Sequence, residues 1–294
     1  MANKHFANVG DIWKHLPLAE ILRIEKPSHY WESHSGSAEY PLTHSCERDH
    51  GVFYFVQHAS DSPTIRVSTY LEILKLHEQK GELTSYPASP LIAMTLLQRK
   101  KTDFLFCDID SASLENIKAN AGILGIPDSK LRLVQEDGVS TLAKVASDFP
   151  ASQALDTFAH IDPYLPLERA NSGFNSVELF CYLTKKNIKV MLWYGYDSQT
   201  MKDALLTELM KSIDDDSLRL SAHNLWCGDI SLVTMRKSTL NAELGILGCS
   251  IVCSNLSRES ISICNDLGES LAEIYKNARS SQGHQAAIQY DRLV

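Results

Sequence analysis

Three apolar segments in the middle of the chain each end in a carboxylate, and a helical segment follows each of them. The apolar segments are DFLFCDID (103–110), KLRLVQEDG (130–138) and LDTFAHIDPY (155–164). Apolar runs that alternate with amphipathic helices predict a parallel sheet with helices on both faces. Ligands of such sheets bind at the carboxyl ends of the strands. The sequence therefore predicts a Rossmann-like α/β fold, a doubly wound sheet with its ligand site along that edge.

The flanking segments extend this pattern. A first helix is predicted from Val9 or Gly10 to Ile24, and a short strand at Tyr30–Trp31. Ser89 is expected to cap a helix with Pro90 in its first turn, and Ser111 or Ser113 to cap the next helix. Three late strands, LRLSAHNLWC (218–227), ISLVTMR (230–236) and LGCSIVCSNL (247–256), predict an antiparallel edge. We expect one domain over residues 1–294, with a helical insertion at about 41–88 in which STYLEILKLHEQKGEL (68–83) is the clearest helix.

Charge and cysteine content restrict the class of protein. The net charge of −8 does not give the basic footprint that is usual for nucleic-acid binding, and the short basic stretches at 99–101 and 184–186 are typical of solvated helix ends. The seven cysteines are scattered without a CxxC pair, which favours a reduced, cytoplasmic protein. No signal peptide and no membrane span is predicted. The His- and Cys-containing stretch THSCERDH (43–50) is interpreted as a polar loop, and no metal site is predicted.

Four strand-end carboxylates form the candidate site: Glu32, Asp108, Asp137 and Asp162. Acids at such positions also cap helix N-termini, and this remains the structural alternative. As ligand groups, Asp108 suits the two ribose hydroxyls of a nucleoside, and Asp137 suits the adenine amino group, with Gly138 allowing close approach. The loop GSA (36–38) does not match GxGxxG, and no P-loop is present. S-adenosylmethionine is therefore favoured over a dinucleotide or ATP.

Several longer motifs resemble one family. NVGDIWKH (8–15), YWESHSGSAEY (30–40), YPASPLIAMTLL (86–97), QEDG (135–138), HIDPY (160–164) and LWY (192–194) follow the order and approximate spacing of the RlmJ-type methyltransferases. The resemblance covers about residues 5–275, and its first and third motifs are the most specific. It implies an S-adenosylmethionine-dependent enzyme that methylates N6 of an adenine in large-subunit ribosomal RNA.

The resemblance also implies roles for individual residues. The positions at which the family contacts the cofactor are His15, His34, Gly36, Ser89, Asp108, Asp137 and Gly138, with Lys14 and Glu32 placed alongside them. Asp162 falls at the catalytic aspartate, which orients the target amine, and Pro163 and Tyr164 continue that motif. The expected cofactor is S-adenosylmethionine and the expected partner is RNA.

The acceptor motif departs from the family pattern. The family has Asp-Pro-Pro-Tyr, whereas this chain has Asp162-Pro163-Tyr164-Leu165. The family's tyrosine upstream of the NxxDxxKH block has no counterpart in this sequence. Three hypotheses follow: methylation of adenine N6 in RNA, methylation of a small-molecule or other acceptor by the same fold, and a non-catalytic protein that binds cofactor or RNA.

Overall fold

The computed structural model describes residues 5–214, 225–232, 247–280 and 283–293. The helices in these ranges are α1 (Val9–Glu25), α2 (Cys46–Arg48), α3 (Tyr54–His58), α4 (Pro63–Arg66), α5 (Thr69–Lys75), α6 (Ser89–Leu97), α7 (Ser111–Ile123), α8 (Gly138–Asp148), α9 (Ser176–Lys185), α10 (Gln199–Asp214) and α11 (Arg258–Ile274). The strands are β1 (His29–Glu32), β2 (Glu39–Pro41), β3 (Glu78–Gln79), β4 (Glu82–Leu83), β5 (Ser85–Pro87), β6 (Asp103–Cys107), β7 (Leu131–Val134), β8 (Thr157–Ile161), β9 (Lys189–Tyr196), β10 (Leu225–Leu232), β11 (Gly248–Ser254) and β12 (Ile288–Arg292).

Eight of the described strands form one sheet in the order β12-β10-β11-β9-β8-β1-β6-β7. The five strands from β9 to β7 are parallel to one another. β11, β10 and β12 add an antiparallel edge. This arrangement confirms the predicted Rossmann-like sheet with its antiparallel edge.

Helices cover both faces of the sheet, and each face has its own apolar core. α1, α6, α7 and α11 pack on one face, around the large buried rings of Trp13, Tyr30 and Phe158. α8, α9 and α10 pack on the other face, around Phe180 and Leu192. Alternate residues of β1 and β8 point to opposite cores, as the two-residue period of a strand requires. Glu32 and His160 therefore lie on the same face as α1.

The late part of the chain differs from the prediction. Residues 225–232 form one continuous strand, where the sequence suggested the end of one strand and the start of another. Gly228 and Asp229, which were expected to separate two strands, lie inside this strand. Asp229 is tolerated there because Lys202 and Tyr196 bind its carboxylate. β12 was not predicted, and residues 218–224 and 233–236 of the predicted strands lie outside the described residues.

The insertion and the helix caps also need correction. The helix predicted within 68–83 ends at Lys75, and the β3–β4 hairpin follows, with Lys80 and Gly81 both at positive φ. α6 has Ala88 at its N-cap position, so Ser89 lies inside the helix and leaves the cap without a side-chain hydrogen bond. α7 is capped by Asp110, whose side chain accepts from the backbone N–H of Ala112, and by neither of the predicted serines.

Candidate active site

The strand order brings the four carboxylates of the candidate site to one edge of the sheet. Asp162, Glu32 and Asp108 end or directly follow β8, β1 and β6, and Asp137 lies three residues beyond β7. These four strands are consecutive neighbours, and all are parallel. The carboxylates therefore occupy the carboxyl edge of one continuous half of the sheet.

Asp162 is held by a lysine from the first helix. Lys14 Nζ lies 2.7 Å from Asp162 Oδ2 and 2.9 Å from Asp11 Oδ1, and the lysine side chain is only 8% exposed. The ammonium also lies 5.0 Å from the ring centroid of Trp193, within the range of a cation–π contact. α1 thus ties the end of β8 to the middle of β9.

The Lys14 ammonium remains charged in this setting. Burial alone would lower the pKa of Lys14, but the carboxylates of Asp11 and Asp162 outweigh it and raise the pKa above its ordinary value. Two carboxylates and one ammonium leave the trio with a net charge of −1 when all three are ionised. The site therefore keeps a net negative charge at these three side chains.

The segment after Asp162 is exposed. Tyr164 is 82% exposed, and Leu165 is 52% exposed. Pro163 and Pro166 are buried and anchor the segment on either side of these two residues. The ring of Tyr164 is therefore accessible for stacking against a flat ligand.

Asp108 organises the loop after β1. Its Oδ2 accepts the backbone N–H of Gly36 at 2.7 Å, and its Oδ1 accepts that of Asp110 at 2.8 Å. Gly36 has a φ of +59°, in the left-handed region that favours glycine. Ile109, the next residue along from Asp108, is 78% exposed and adds an apolar surface beside the carboxylate.

Asp137 caps α8 and holds the segment that follows Asp162. Its Oδ1 accepts the backbone N–H of Val139, and its Oδ2 accepts from the Ser140 hydroxyl at 2.5 Å and the Asn171 backbone N–H at 3.3 Å. At Gly138, a Cβ atom would lie 1.6 Å from the backbone oxygen of Ser33. This glycine allows the start of α8 to touch the loop after β1.

Five residues predicted for the cofactor site are buried, namely Lys14, His15, Glu32, Ser89 and Gly138, and three of these make hydrogen bonds within the walls of the site. Glu32 and Ser89 are 0% and 3% exposed, and the Ser89 hydroxyl donates to Glu32 Oε1 at 2.5 Å. His15 is 1% exposed, and its Nδ1 lies 2.8 Å from the hydroxyl of Tyr86. In this geometry they support the walls of the site rather than line its surface.

His15 and His34 are held in their neutral forms. Burial, with Lys14 and His160 adding to it, lowers the pKa of His15 well below its usual value. Burial also lowers the pKa of His34, and the carboxylates of Asp162, Asp108 and Asp137 oppose this only in part. Both histidines therefore take up protons more readily in the unfolded chain.

Stability is expected to fall as the pH drops below about 6.5, the ordinary histidine pKa. A histidine with a depressed folded-state pKa stabilises the fold above its unfolded pKa and destabilises it below, by up to about 1.4 kcal/mol per pH unit. His15→Asn keeps a polar atom near Tyr86 but removes the titration. Urea unfolding at pH 7, 6 and 5 should give a shallower pH dependence for this variant than for the wild type. Parallel curves would contradict the assignment of this loss to His15.

Sequence reasoning missed two participants. Asp11, the second carboxylate on Lys14, lies three residues before it on α1, a spacing that signals an ion pair. Ile109 carried no signal beyond its place after Asp108. The ring of Trp193, which belongs to the LWY motif, lies against Lys14.

The fold is the Rossmann-like fold of class I methyltransferases. A model of the family described as "Ribosomal RNA large subunit methyltransferase D, RlmJ" matches residues 25–225. The chain therefore belongs to this family, as its motifs indicated.

Two individual proteins illustrate this similarity. The "Ribosomal RNA large subunit methyltransferase J" of Escherichia coli (strain K12) is 30% identical over 105 residues, which span 33% of this chain and 37% of that protein. The crystal structure of protein LPL1258 from Legionella pneumophila str. Philadelphia 1 superposes with a TM-score of 0.71 at 19% identity, over 98% of this chain and 97% of that one. The second similarity extends the shared fold over the whole chain. Among the described helices, none is both long and apolar enough to cross a bilayer.

Proposed function

We propose that the protein transfers a methyl group from S-adenosylmethionine to N6 of an adenine in ribosomal RNA. The observation that carries this proposal is the placement of Asp162 at the carboxyl end of β8, with Lys14 on one of its oxygens and an exposed Tyr164 two residues further on. Family membership supports the same reaction. The altered Asp-Pro-Tyr-Leu motif still supplies a carboxylate, a proline carbonyl and an accessible aromatic ring.

The residues present fit S-adenosylmethionine. Asp108 and Asp137 are partly exposed carboxylates beyond the ends of neighbouring strands, and they would hold a ribose and an adenine amino group. Ile109, the residue after Asp108, offers an exposed apolar side chain, and Gly138 lets the start of α8 contact the loop after β1 at Ser33. When bound, this cofactor supplies an electrophilic methyl group on a positively charged sulfur.

Asp162 would orient the acceptor amine. The lone pair of an adenine amine is delocalised into the ring, so the amine is a poor nucleophile unless it is held in place. The free oxygen of Asp162 and the backbone carbonyl of Pro163 would accept its two N–H bonds and turn the lone pair toward the methyl carbon. Methyl transfer would convert the sulfonium of the cofactor to a neutral thioether, and the methylated N6 would release one proton to solvent. Positioning of this kind accounts for most of the rate enhancement in such reactions.

Lys14 would keep the carboxylate in place for this task. It binds Oδ2 of Asp162 through a hydrogen bond of 2.7 Å, and no other described residue donates a hydrogen bond to this carboxylate. Oδ1 is thereby left for the substrate amine. Because Asp11 shares the same ammonium, the lysine does not neutralise the site completely.

The proposal is tested by methyl transfer to an unmodified transcript of large-subunit ribosomal RNA. The purified protein is incubated with S-adenosylmethionine that carries a tritiated methyl group, and the RNA is digested and analysed by mass spectrometry. We expect labelled N6-methyladenosine at one position of the transcript. Cofactor binding without any labelled RNA would overturn the choice of acceptor, and absence of cofactor binding would overturn the enzymatic function.

RNA binding should depend steeply on salt. For a protein that neutralises several phosphates, the logarithm of the binding constant falls linearly with the logarithm of the salt concentration. The slope is about −0.7 per phosphate for single strands. Transfer measured at 50 and 200 mM KCl should therefore slow through a higher KM for RNA. A rate independent of salt would favour a small-molecule acceptor.

Replacing Asp137 by alanine is expected to weaken S-adenosylmethionine binding by about 1–3 kcal/mol, because the adenine amino group loses its acceptor. Calorimetric titration measures the affinity directly. The variant also loses a helix cap, so Ser257→Ala, which removes the cap of α11 remote from the site, is the matched control. An unchanged affinity in the Asp137 variant would place the adenine elsewhere.

A further inference from the structure

Glu32 and His160 form a buried pair that the proposed chemistry does not use. Both side chains are 0% exposed, and His160 Nδ1 lies 2.9 Å from Glu32 Oε1. The two residues are directly paired in the parallel register of β1 and β8. Just beyond them, the backbone N–H of Ser33 donates to the carbonyl of His160 at 3.1 Å. The pair therefore sits where the central strands of the sheet end.

Three donors from three elements converge on the Glu32 carboxylate. The Tyr30 hydroxyl on β1 donates to Oε2 at 3.0 Å, and the Ser89 hydroxyl on α6 donates to Oε1 at 2.5 Å. His160 on β8 supplies the third donor. A buried carboxylate is tolerated when it is hydrogen-bonded in this way, and such charge-assisted bonds are strong and directional. Glu32 thereby joins β1, α6 and β8 at one point.

The pair also fixes the tautomer of His160. A carboxylate only accepts hydrogen bonds, so Nδ1 carries the proton in the bond to Glu32. In the neutral ring, Nε2 is then an acceptor, and this buried atom has no hydrogen-bond partner among the described residues. A buried polar atom that lacks a hydrogen-bond partner costs free energy of folding.

His160 lies next to the proposed catalytic residue. It precedes Asp162 by two positions, and its ring is on the face of the sheet that α1 covers. It is also close enough to influence the titration of both His15 and His34. A shift of β8 at His160 would carry Asp162 with it.

We propose that Glu32 and His160 are a positioning pair, whose hydrogen bond fixes the end of β8 and so the orientation of Asp162 toward the acceptor amine. This proposal rests on the proposed function. It assigns Glu32 to the alignment of the acceptor group and not to direct contact with the cofactor.

Two substitutions at one position separate this role from simple packing. His160→Asn places an amide N–H near the position of Nδ1 and keeps the donor to Glu32, whereas His160→Leu removes it. We expect kcat to fall at least about tenfold in the leucine variant, since small displacements of a reacting group cost up to about 100-fold. The KM for RNA and the Kd for S-adenosylmethionine should stay within about twofold, and the asparagine variant should recover most of kcat.

A spectroscopic measurement tests the pair without an activity assay. In protein labelled with ¹⁵N at histidine, His160 is assigned by the signals that the asparagine variant loses, and its tautomer is read from the nitrogen shifts. We expect the proton on Nδ1. A proton on Nε2 alone would overturn the proposed bond to Glu32, whatever the activity on RNA.

Thr184→Val is the matched control. Thr184 is also buried and donates to the carbonyl of Phe180, but it lies near the end of helix α9, beside Ser254 and close to the start of β9. The kcat of the Thr184→Val variant should equal that of the wild type. If the wild type does not methylate RNA, the proposed function is overturned, but the tautomer of His160 still tests the bond to Glu32.

If the wild type is active, two results would overturn the positioning role. One is an undiminished kcat in His160→Leu, and the other is an equal loss of kcat in both His160 variants.

Discussion

Asp162→Ala is expected to lower the rate of methyl transfer by about 10²–10³-fold while S-adenosylmethionine binds with nearly unchanged affinity. The substitution removes the group that orients the amine, and loss of one such positioned group typically costs this much in rate. Lys14 keeps its ion pair with Asp11, so the end of α1 should stay in place. Single-turnover transfer to RNA and calorimetric titration with the cofactor provide the two measurements.

Two further variants sharpen this test. Asp162→Asn keeps the shape and one acceptor oxygen but loses the charge, so its rate should lie between those of the wild type and the alanine variant. Asp148→Ala removes an exposed carboxylate at the far end of α8 and should have no effect. Wild-type activity in Asp162→Ala would show that the acceptor is oriented by another group.

Gly138→Ala is expected to damage both stability and cofactor binding. The added Cβ would overlap the backbone of Ser33, with its oxygen at 1.6 Å and its carbonyl carbon at 2.4 Å. Neither contact is with a flexible side chain, so the start of α8 and the loop after β1 must separate. Overpacking of this kind costs about 1–3 kcal/mol or more. Urea unfolding should show this loss, and the affinity for S-adenosylmethionine should fall at least about tenfold, equivalent to 1.4 kcal/mol.

A second glycine provides the control. Gly122 lies in α7 with no atom within 4 Å of an added Cβ and without a positive φ. Gly122→Ala should raise the free energy of unfolding by about 0.5–1 kcal/mol, because alanine loses less backbone entropy in a helix. Equal stability of the two alanine variants would mean that the contact between Gly138 and Ser33 is not rigid.

The sheet was predictable because its strands are local in sequence. Each central strand is an apolar run that ends in an acid, and parallel pairing brings those acids to one edge. The edge at which a ligand site is expected could be placed from Asp108, Asp137 and Asp162 without knowledge of their neighbours. β10 could not be recognised in the same way, because Asp229 is acceptable inside a strand only when Lys202 reaches it from α10.

The different character of Glu32 was likewise hidden in the sequence. As a carboxylate at a strand end it resembles the other three, but its partners are Ser89 and His160, 57 and 128 residues away. Only the fold shows that it faces inward. The roles of Asp11 and Trp193 were also not evident from the sequence, because both depend on the position of the Lys14 ammonium in the fold.

The double use of Asp137 has a thermodynamic consequence. Its Oδ2 accepts from Asn171, and Ser140, which donates to the same oxygen, itself accepts the backbone N–H of Ser172. These contacts fasten the segment that begins at Asp162 to the strand end proposed for adenine. A nucleoside that bound this carboxylate would compete with the segment for it, so its binding would change the free energy of the segment's present arrangement. Such coupling is reciprocal. If cofactor binding changes the affinity for the acceptor by some factor, acceptor binding must change the affinity for the cofactor by the same factor.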